Sequence, residues 1–170
     1  KRQIHGIECF VPEMIRARKG HIVNISSTAG LIGIPMHAAY ASAKFGLVGL
    51  SEVLRYDLMQ YHIGVTVVCP GAVDTPLKHT VEILGVDPNS RRLRRLKEGF
   101  SRHAVTPERV AGQIINAIES NRFLVITSFD IKIAYFLKRC FFPLYHYLMI
   151  YTTRLLNRMK SSALPPGRTG

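Results

Sequence analysis

The sequence predicts an α/β fold built on a parallel sheet and followed by a helical extension. Three observations predict it. First, three short runs are apolar and rich in β-branched residues, the signature of strands buried on both faces: His21–Ser26 (HIVNIS), Gly64–Cys69 (GVTVVC) and Arg122–Thr127 (RFLVIT). Second, segments of helical period alternate with these runs, and alternation of the two periods means crossover helices between parallel strands. Third, loop residues close the first two runs, Gly30, Gly33 and Pro35 after one and Pro70-Gly71 after the other.

The elements follow in order. Ile4, Ile7, Phe10, Val11, Met14 and Ile15 recur at helical spacing, which predicts a helix over about 4–18, open to a kink or a late first turn at Pro12 and stopped at Lys19-Gly20. A long helix is predicted over 37–61. Ala39, Ala43, Gly46 and Leu50 form one small-residue side, and the charges Lys44, Glu52, Arg55 and Asp57 are sparse. Such a helix is expected to be covered on more than one side, and its small side is the expected contact of a homo-oligomer. Residues 77–104 read as polar, basic and irregular, with helical pieces. Thr106-Pro107 is a cap and first-turn pair, and the helix after it places Val110, Ile114, Ala117 and Ile118 on one face. The expected organisation is a catalytic unit over 1–128, an apolar and basic helical extension over 129–160 and a disordered tail over 161–170.

Composition narrows the class. Of 170 residues, 47% are hydrophobic and 20% charged, which excludes collagen-like and wholly disordered chains. Cys9, Cys69 and Cys140 have neither metal nor disulfide spacing, and the seven histidines show no ligand pattern, so no metal is expected and a reducing, cytoplasmic setting is. The net charge of +12 is lopsided: residues 1–90 carry +1 and residues 91–170 carry +11. Arg91–Lys97 (RRLRRLK) is open to three readings: a solvated face, an anchor for an acidic substrate such as an acyl-CoA, or a contact with anionic lipid. No aromatic interleaving accompanies the charge, so no nucleic-acid partner is expected.

The chemistry lies in Asn24-Ile-Ser-Ser27, Tyr40-Ala-Ser-Ala-Lys44 and Pro70-Gly-Ala-Val-Asp-Thr75. Four residues apart on a helix, Tyr40 and Lys44 share one face. With Ser27 thirteen residues before Tyr40, and Pro70-Gly71 followed by Val73-Asp74-Thr75 after the next strand, the sequence resembles the short-chain dehydrogenase/reductase family over about residues 7–127. Gly20–Gly30 is similar to that family's fifth strand and active-site loop. The resemblance implies a Rossmann-like, doubly wound parallel sheet, represented here by its later strands, with NAD or NADP as cofactor. It implies Ser27, Tyr40 and Lys44 as catalytic residues, with Ser27 and Tyr40 at the substrate oxygen. Lys44 and Tyr40 would also meet the nicotinamide ribose, Pro70, Gly71 and Val73 would line the nicotinamide, and Thr75 would hold its carboxamide. The residue types suit the reaction. Hydride transfer to a carbonyl leaves an alkoxide that needs a proton, a free tyrosine ionises only near pH 10, and a neighbouring cation favours its phenolate. Tyr40 is then the general acid/base, Lys44 its electrostatic partner, and Ser27 the group that positions the oxygen. Ser26 is expected to be a structural neighbour, and Asn24 a strand residue.

Two parts of the family pattern are missing from these 170 residues: the Thr-Gly-x-x-x-Gly-x-Gly turn that cradles the pyrophosphate, and the Asn-Asn-Ala-Gly motif after the fourth strand. The sequence, which opens on Lys1, therefore reads as the C-terminal half of the fold. A partial gene product, a splice form and a chain completed by another chain are all open, and the catalytically silent associating fragment is the alternative to an enzyme. In such a half the first predicted strand is an exposed apolar edge. The extension is aromatic with basic flanks. Its charge-free stretch, Cys140–Thr153, is fourteen residues, short of the roughly 20 that span a bilayer. A helical pair at a membrane interface, a lid over the substrate pocket and a dimer contact are the open readings, the first of which suits a small lipophilic substrate and a peripheral membrane location.

Overall fold

The computed structural model describes residues 2–35, 37–75 and 104–161. The basic run Arg91–Lys97, most of the predicted irregular segment 77–104 and the tail beyond Ser161 lie outside the described residues. Helix α1 (Arg2–Ala17) leads into strand β1 (Gly20–Ile25), a 3-10 turn (Thr28–Gly30), helix α2 (Ala38–Met59) and strand β2 (Ile63–Cys69). Helix α3 (Pro107–Glu119), strand β3 (Leu124–Ile126), helix α4 (Phe129–Cys140) and helix α5 (Phe142–Ser161) complete the described chain. The three strands form one parallel sheet in the order β1-β2-β3, with Ile22 opposite Val65 and Val68 opposite Val125.

β2 is the centre, and its alternation builds the layers. Val65 packs with Ile63, Leu58, Met14 and Ile15 against α1 and α2. Val67 and Cys69 point to the same side, against Leu31, Val48 and Tyr135. Val68 points the other way, onto Ala117 and Ile114 of α3. Helices therefore cover both faces, which is why Thr66 is the one polar side chain in this strand. That hydroxyl, fully buried, donates to the Arg122 carbonyl at 2.7 Å and lies 2.8 Å from His21 Nε2.

Each helix-to-strand turn runs through a left-handed residue: Arg18 before β1, His62 before β2 and Asn121 before β3, with φ of 49°, 59° and 48°. After α1, Lys19 N–H reaches the Met14 carbonyl at 3.2 Å and Arg18 N–H the Ile15 carbonyl at 3.1 Å. After α3, Arg122 N–H bonds Ala117 and Asn121 N–H bonds Ile118. These paired closures satisfy the orphan carbonyls of the helix ends and turn the chain straight into the sheet.

The structure differs from the sequence reading in three places. Pro12 stays inside α1, because it sits on the exposed side where a missing N–H costs least. β3 spans only 124–126, since its pairing with β2 begins at Leu124 and Arg122 belongs to the turn. Ile118 is 38% exposed, leaving Ile114 and Ala117 to carry the packing of α3. Among the described residues helix α2 is covered along one side, and its other side is open. Leu47, Ser51 and Leu58 are buried, whereas Ala39, Ala43 and Gly46 are open, and a Cβ at Gly46 or Gly49 would meet nothing within 4 Å. Among the described residues β1 lies at one side of the sheet, and its Ile25 is 47% exposed.

Candidate functional site

The site is built where the parallel strands end, the place at which an α/β sheet opens a crevice. β1 hands over to a loop pinned across to the end of β2. Ser26 N–H bonds the Val68 carbonyl at 2.7 Å, while Thr28 N–H and Oγ1 both reach the Pro70 carbonyl, at 2.9 and 2.8 Å. Ser27 is extended and caps the 3-10 turn by accepting from Ala29 N–H at 3.2 Å. Ser26 turns inward and donates to the Lys44 carbonyl at 2.9 Å. This makes it the structural neighbour the sequence suggested. At Gly30 the loop passes so close to α2 that an added Cβ would sit 2.5 Å from Ser26 Oγ and 2.8 Å from the Lys44 carbonyl oxygen.

The same contacts place Tyr40 and Lys44. Asn24, buried in β1, donates to Ser51 Oγ at 2.9 Å, and Ser51 donates on to the Leu47 carbonyl at 2.7 Å, locking α2 over the strand. Lys44 Nζ donates to the Ile25 carbonyl at 3.1 Å and lies 5.7 Å from the centre of the Tyr40 ring. Tyr40 is 49% exposed at the start of the helix, and among the described residues no hydrogen bond joins it to Ser27.

A cavity of about 330 Å³ opens beside this loop. Of the residues singled out in the sequence, Ser27, Pro70 and Gly71 line it, and Tyr40 and Lys44 stand on α2 outside its lining. Val73 pairs with Val105 in an isolated parallel bridge and Thr75 N–H bonds the Val73 carbonyl at 2.9 Å, also outside the lining. Sequence reasoning missed Thr28, Ile32, Ile34 and Ala72, and above all Ser128, Asp130 and Ile131 from the other end of the chain. The carboxyl-end rule for parallel strands, applied to the third strand, would have pointed at Ser128. Ser128 is 9% exposed, and its hydroxyl has no hydrogen-bond partner among the described residues. It lies 2.5 Å from where a Cβ at Gly71 would stand, so the two strand ends approach closely there.

Electrostatics separate reactive from inert groups. Burial pushes the Cys69 thiol up to about 11, against the opposing pull of the Ser26 hydroxyl, so this thiol is a packed core group. Burial, helped by Arg55, holds His21 below the ordinary imidazole value. Burial, then Arg139, lowers Lys138. Among the described residues no cluster of His, Cys, Asp or Glu could hold a metal ion, and no helix is long and apolar enough to cross a membrane.

A slot with apolar walls, one backbone Pro-Gly-Ala edge and an orphaned buried hydroxyl suits a flat aromatic amide, so the residues present fit the nicotinamide end of a dinucleotide. Fold and site together define an α/β protein with its crevice at the carboxyl ends of parallel strands. Comparison with known proteins agrees. A family model described as short chain dehydrogenase matches residues 3–83. The putative oxidoreductase SadH of Mycobacterium tuberculosis is 32% identical over 134 residues, which cover 76% of this chain and 47% of that protein. Retinol dehydrogenase 8 of Bos taurus is 33% identical over 129 residues, 68% of this chain and 41% of that protein. The crystal structure of a short chain dehydrogenase/reductase from Burkholderia phymatum in complex with NAD superposes with a TM-score of 0.64 at 26% identity, covering 83% of this chain and 54% of that one. The chain belongs to the short-chain dehydrogenase/reductase family of oxidoreductases. It spans about half the length of the curated relatives it matches.

Proposed function

We propose that the protein is an NAD(P)-dependent oxidoreductase that interconverts a carbonyl and an alcohol on a small lipophilic substrate. The observation that carries this reading is the meeting of Ser27 with Pro70-Gly71 at one cavity, beside a helix whose Lys44 is tied to the last residue of the same strand. Ser27 hydrogen-bonds the substrate oxygen. Tyr40 gives that oxygen its proton in reduction and takes it back in oxidation, and Lys44 supplies positive charge on the Tyr40 face of α2. Pro70, Gly71 and Val73 border the nicotinamide, Thr75 holds its carboxamide, and Tyr40 and Lys44 meet its ribose. When bound, the cofactor supplies or accepts the hydride. Ile32, Ile34 and Ile131 in the cavity lining, and the name of the retinol dehydrogenase relative, support a lipophilic substrate.

The test is oxidation of NADH and of NADPH by the purified chain with a panel of aldehydes and ketones, alongside Tyr40→Phe and Lys44→Met. Turnover that falls at least about 100-fold in Tyr40→Phe is expected, the scale of a lost general acid. A Tyr40→Phe variant as active as the parent, or a parent with no turnover on any member of the panel, rejects the reading for this chain.

A second reading, a catalytically silent chain acting by association, is favoured by one observation. α2 leaves Val53, Tyr56 and Met59 57%, 65% and 68% exposed, and Phe142, Tyr147 and Tyr151 of α5 stand out similarly. The α2 face suits a second copy or a longer relative, and the aromatic α5 surface with nearby Arg154 suits an anionic membrane surface at which the protein would be peripheral. Sedimentation equilibrium and flotation with phosphatidylserine vesicles separate the two. A monomer that does not float removes both.

A further inference from the structure

The far end of the loop that carries Ser27 is held by the buried Leu31 side chain and by His37 N–H, which bonds the Ile34 carbonyl at 3.3 Å. Within it, Gly30 and Leu31 N–H groups close a single 3-10 turn on Ser27 and Thr28, and Ile32 N–H returns to Thr28 at 3.0 Å. Beyond that turn the loop has left the sheet. Two contacts from the C-terminal helices reach it there. Lys138 of α4 donates from Nζ to the Leu31 carbonyl at 2.6 Å, and the same ammonium lies 4.6 Å from the centre of the Phe45 ring on α2. Tyr145 of α5, only 7% exposed, accepts from Gly33 N–H at 3.3 Å through its hydroxyl. Tyr135 packs against the cluster of Leu31, Val67 and Cys69 beneath. Two backbone groups with no other partner among the described residues are thus satisfied by side chains more than a hundred residues away. The ordering of a lysine and a tyrosine for this purpose costs side-chain entropy that a loose surface helix would not spend.

We propose that α4 and α5 brace the Ser27–Ile34 loop, with Lys138 and Tyr145 as positioning residues that hold Ser27 at the cavity. Ser27 caps the very turn whose exit the brace secures, and the first turn of α4 forms the facing wall through Asp130 and Ile131. The extension is therefore part of the site's architecture, and its exposed aromatic side is free for other contacts. The catalytic consequence rests on the proposed role of Ser27. The brace itself does not.

Hydrogen exchange of the purified chain, followed by mass spectrometry without substrate or cofactor, tests it. Lys138→Met and Tyr145→Phe are each expected to speed exchange of the Thr28–Gly33 amides about tenfold, the effect of one net hydrogen bond, while Val65–Cys69 amides keep the parent rate. Lys138→Arg, which retains a donor and a cation, is expected to restore at least part of the protection. Unchanged loop exchange in both variants, or an equal rise across β2, overturns the proposal. A chain that shows the loop effect but no dehydrogenase turnover keeps the brace and removes the catalytic reading of Ser27.

Discussion

Gly30 and Gly46 lie sixteen residues apart, on opposite sides of the joint between loop and helix, and replacement by alanine is expected to act with opposite sign. At Gly30 the new methyl would sit 2.5 Å from Ser26 Oγ and 2.8 Å from the Lys44 carbonyl oxygen. The second neighbour is helix backbone and cannot swing aside, so α2 must lift from the loop. Overpacking of this kind costs about 1–3 kcal/mol, and disturbing the buried Ser26–Lys44 hydrogen bond adds about 1 kcal/mol. Gly30→Ala is therefore expected to destabilise by about 2–4 kcal/mol. Gly46 is a helix-interior glycine whose Cβ would meet nothing within 4 Å. Gly46→Ala is expected to stabilise by about 0.5–1 kcal/mol, because it removes chain entropy from the unfolded state and fills no occupied space. Equilibrium urea unfolding followed by far-UV circular dichroism reads both. With a slope of about 2 kcal/mol per molar, the Gly30→Ala midpoint falls by about 1–2 M and the Gly46→Ala midpoint rises by a few tenths. A Gly30→Ala midpoint within 0.2 M of the parent, at unchanged slope, about 0.4 kcal/mol on that scale, would refute the steric reasoning.

Other predictions follow from single groups. Cys69 ionises far more readily unfolded than folded, so the stability tied to its neutral thiol is complete below about pH 8.5 and is lost as pH rises toward about 11. Unfolding free energy measured from pH 8 to 10.5 should fall more steeply in the parent than in Cys69→Ala. On the acid side, burial lowers the folded His21 value, so the unfolded chain takes up protons first and stability declines as pH drops below about 6.5. A His21→Gln variant is expected to lose that decline. Ellman's reagent at pH 8 should titrate Cys9 and Cys140 at once and Cys69 only after unfolding, since the first two are exposed. Fast reaction of a third thiol in the native protein would contradict the packing of β2. His62→Gly, at a left-handed position with no side-chain hydrogen bond among the described residues, is expected to raise stability by about 1 kcal/mol, seen as a higher melting temperature.

Much of the fold was legible because its signals are local. The strand core Val65–Cys69 is continuous and β-branched since both its faces are covered, and Pro70 and Gly71 end it by chemistry of their own. Thr106 caps α3 through Arg109 N–H at 3.3 Å, as the Thr-Pro pair implies. Helix α2 is less legible, because small residues without charge look the same whether a neighbour covers them or none does. Chain separation decided the rest. Ser128 faces Gly71 only once β3 has paired beside β2, and no spacing in the sequence links them.

The sequence by itself determined the alternation of strands and helices, the parallel sheet, and the family pattern of Ser27, Tyr40, Lys44 and Pro70-Gly71. These depend on periodicity, turn chemistry and short spacings, all of which act over a few residues. Only the tertiary structure decided which of those residues share a cavity, that Lys44 rests on the Ile25 carbonyl, and that Lys138 and Tyr145 reach back to Leu31 and Gly33. Such contacts join residues up to 112 positions apart. They arise when sheet order and helix packing bring distant backbone groups within hydrogen-bond range, and the need to satisfy buried polar groups then selects the side chain that fits.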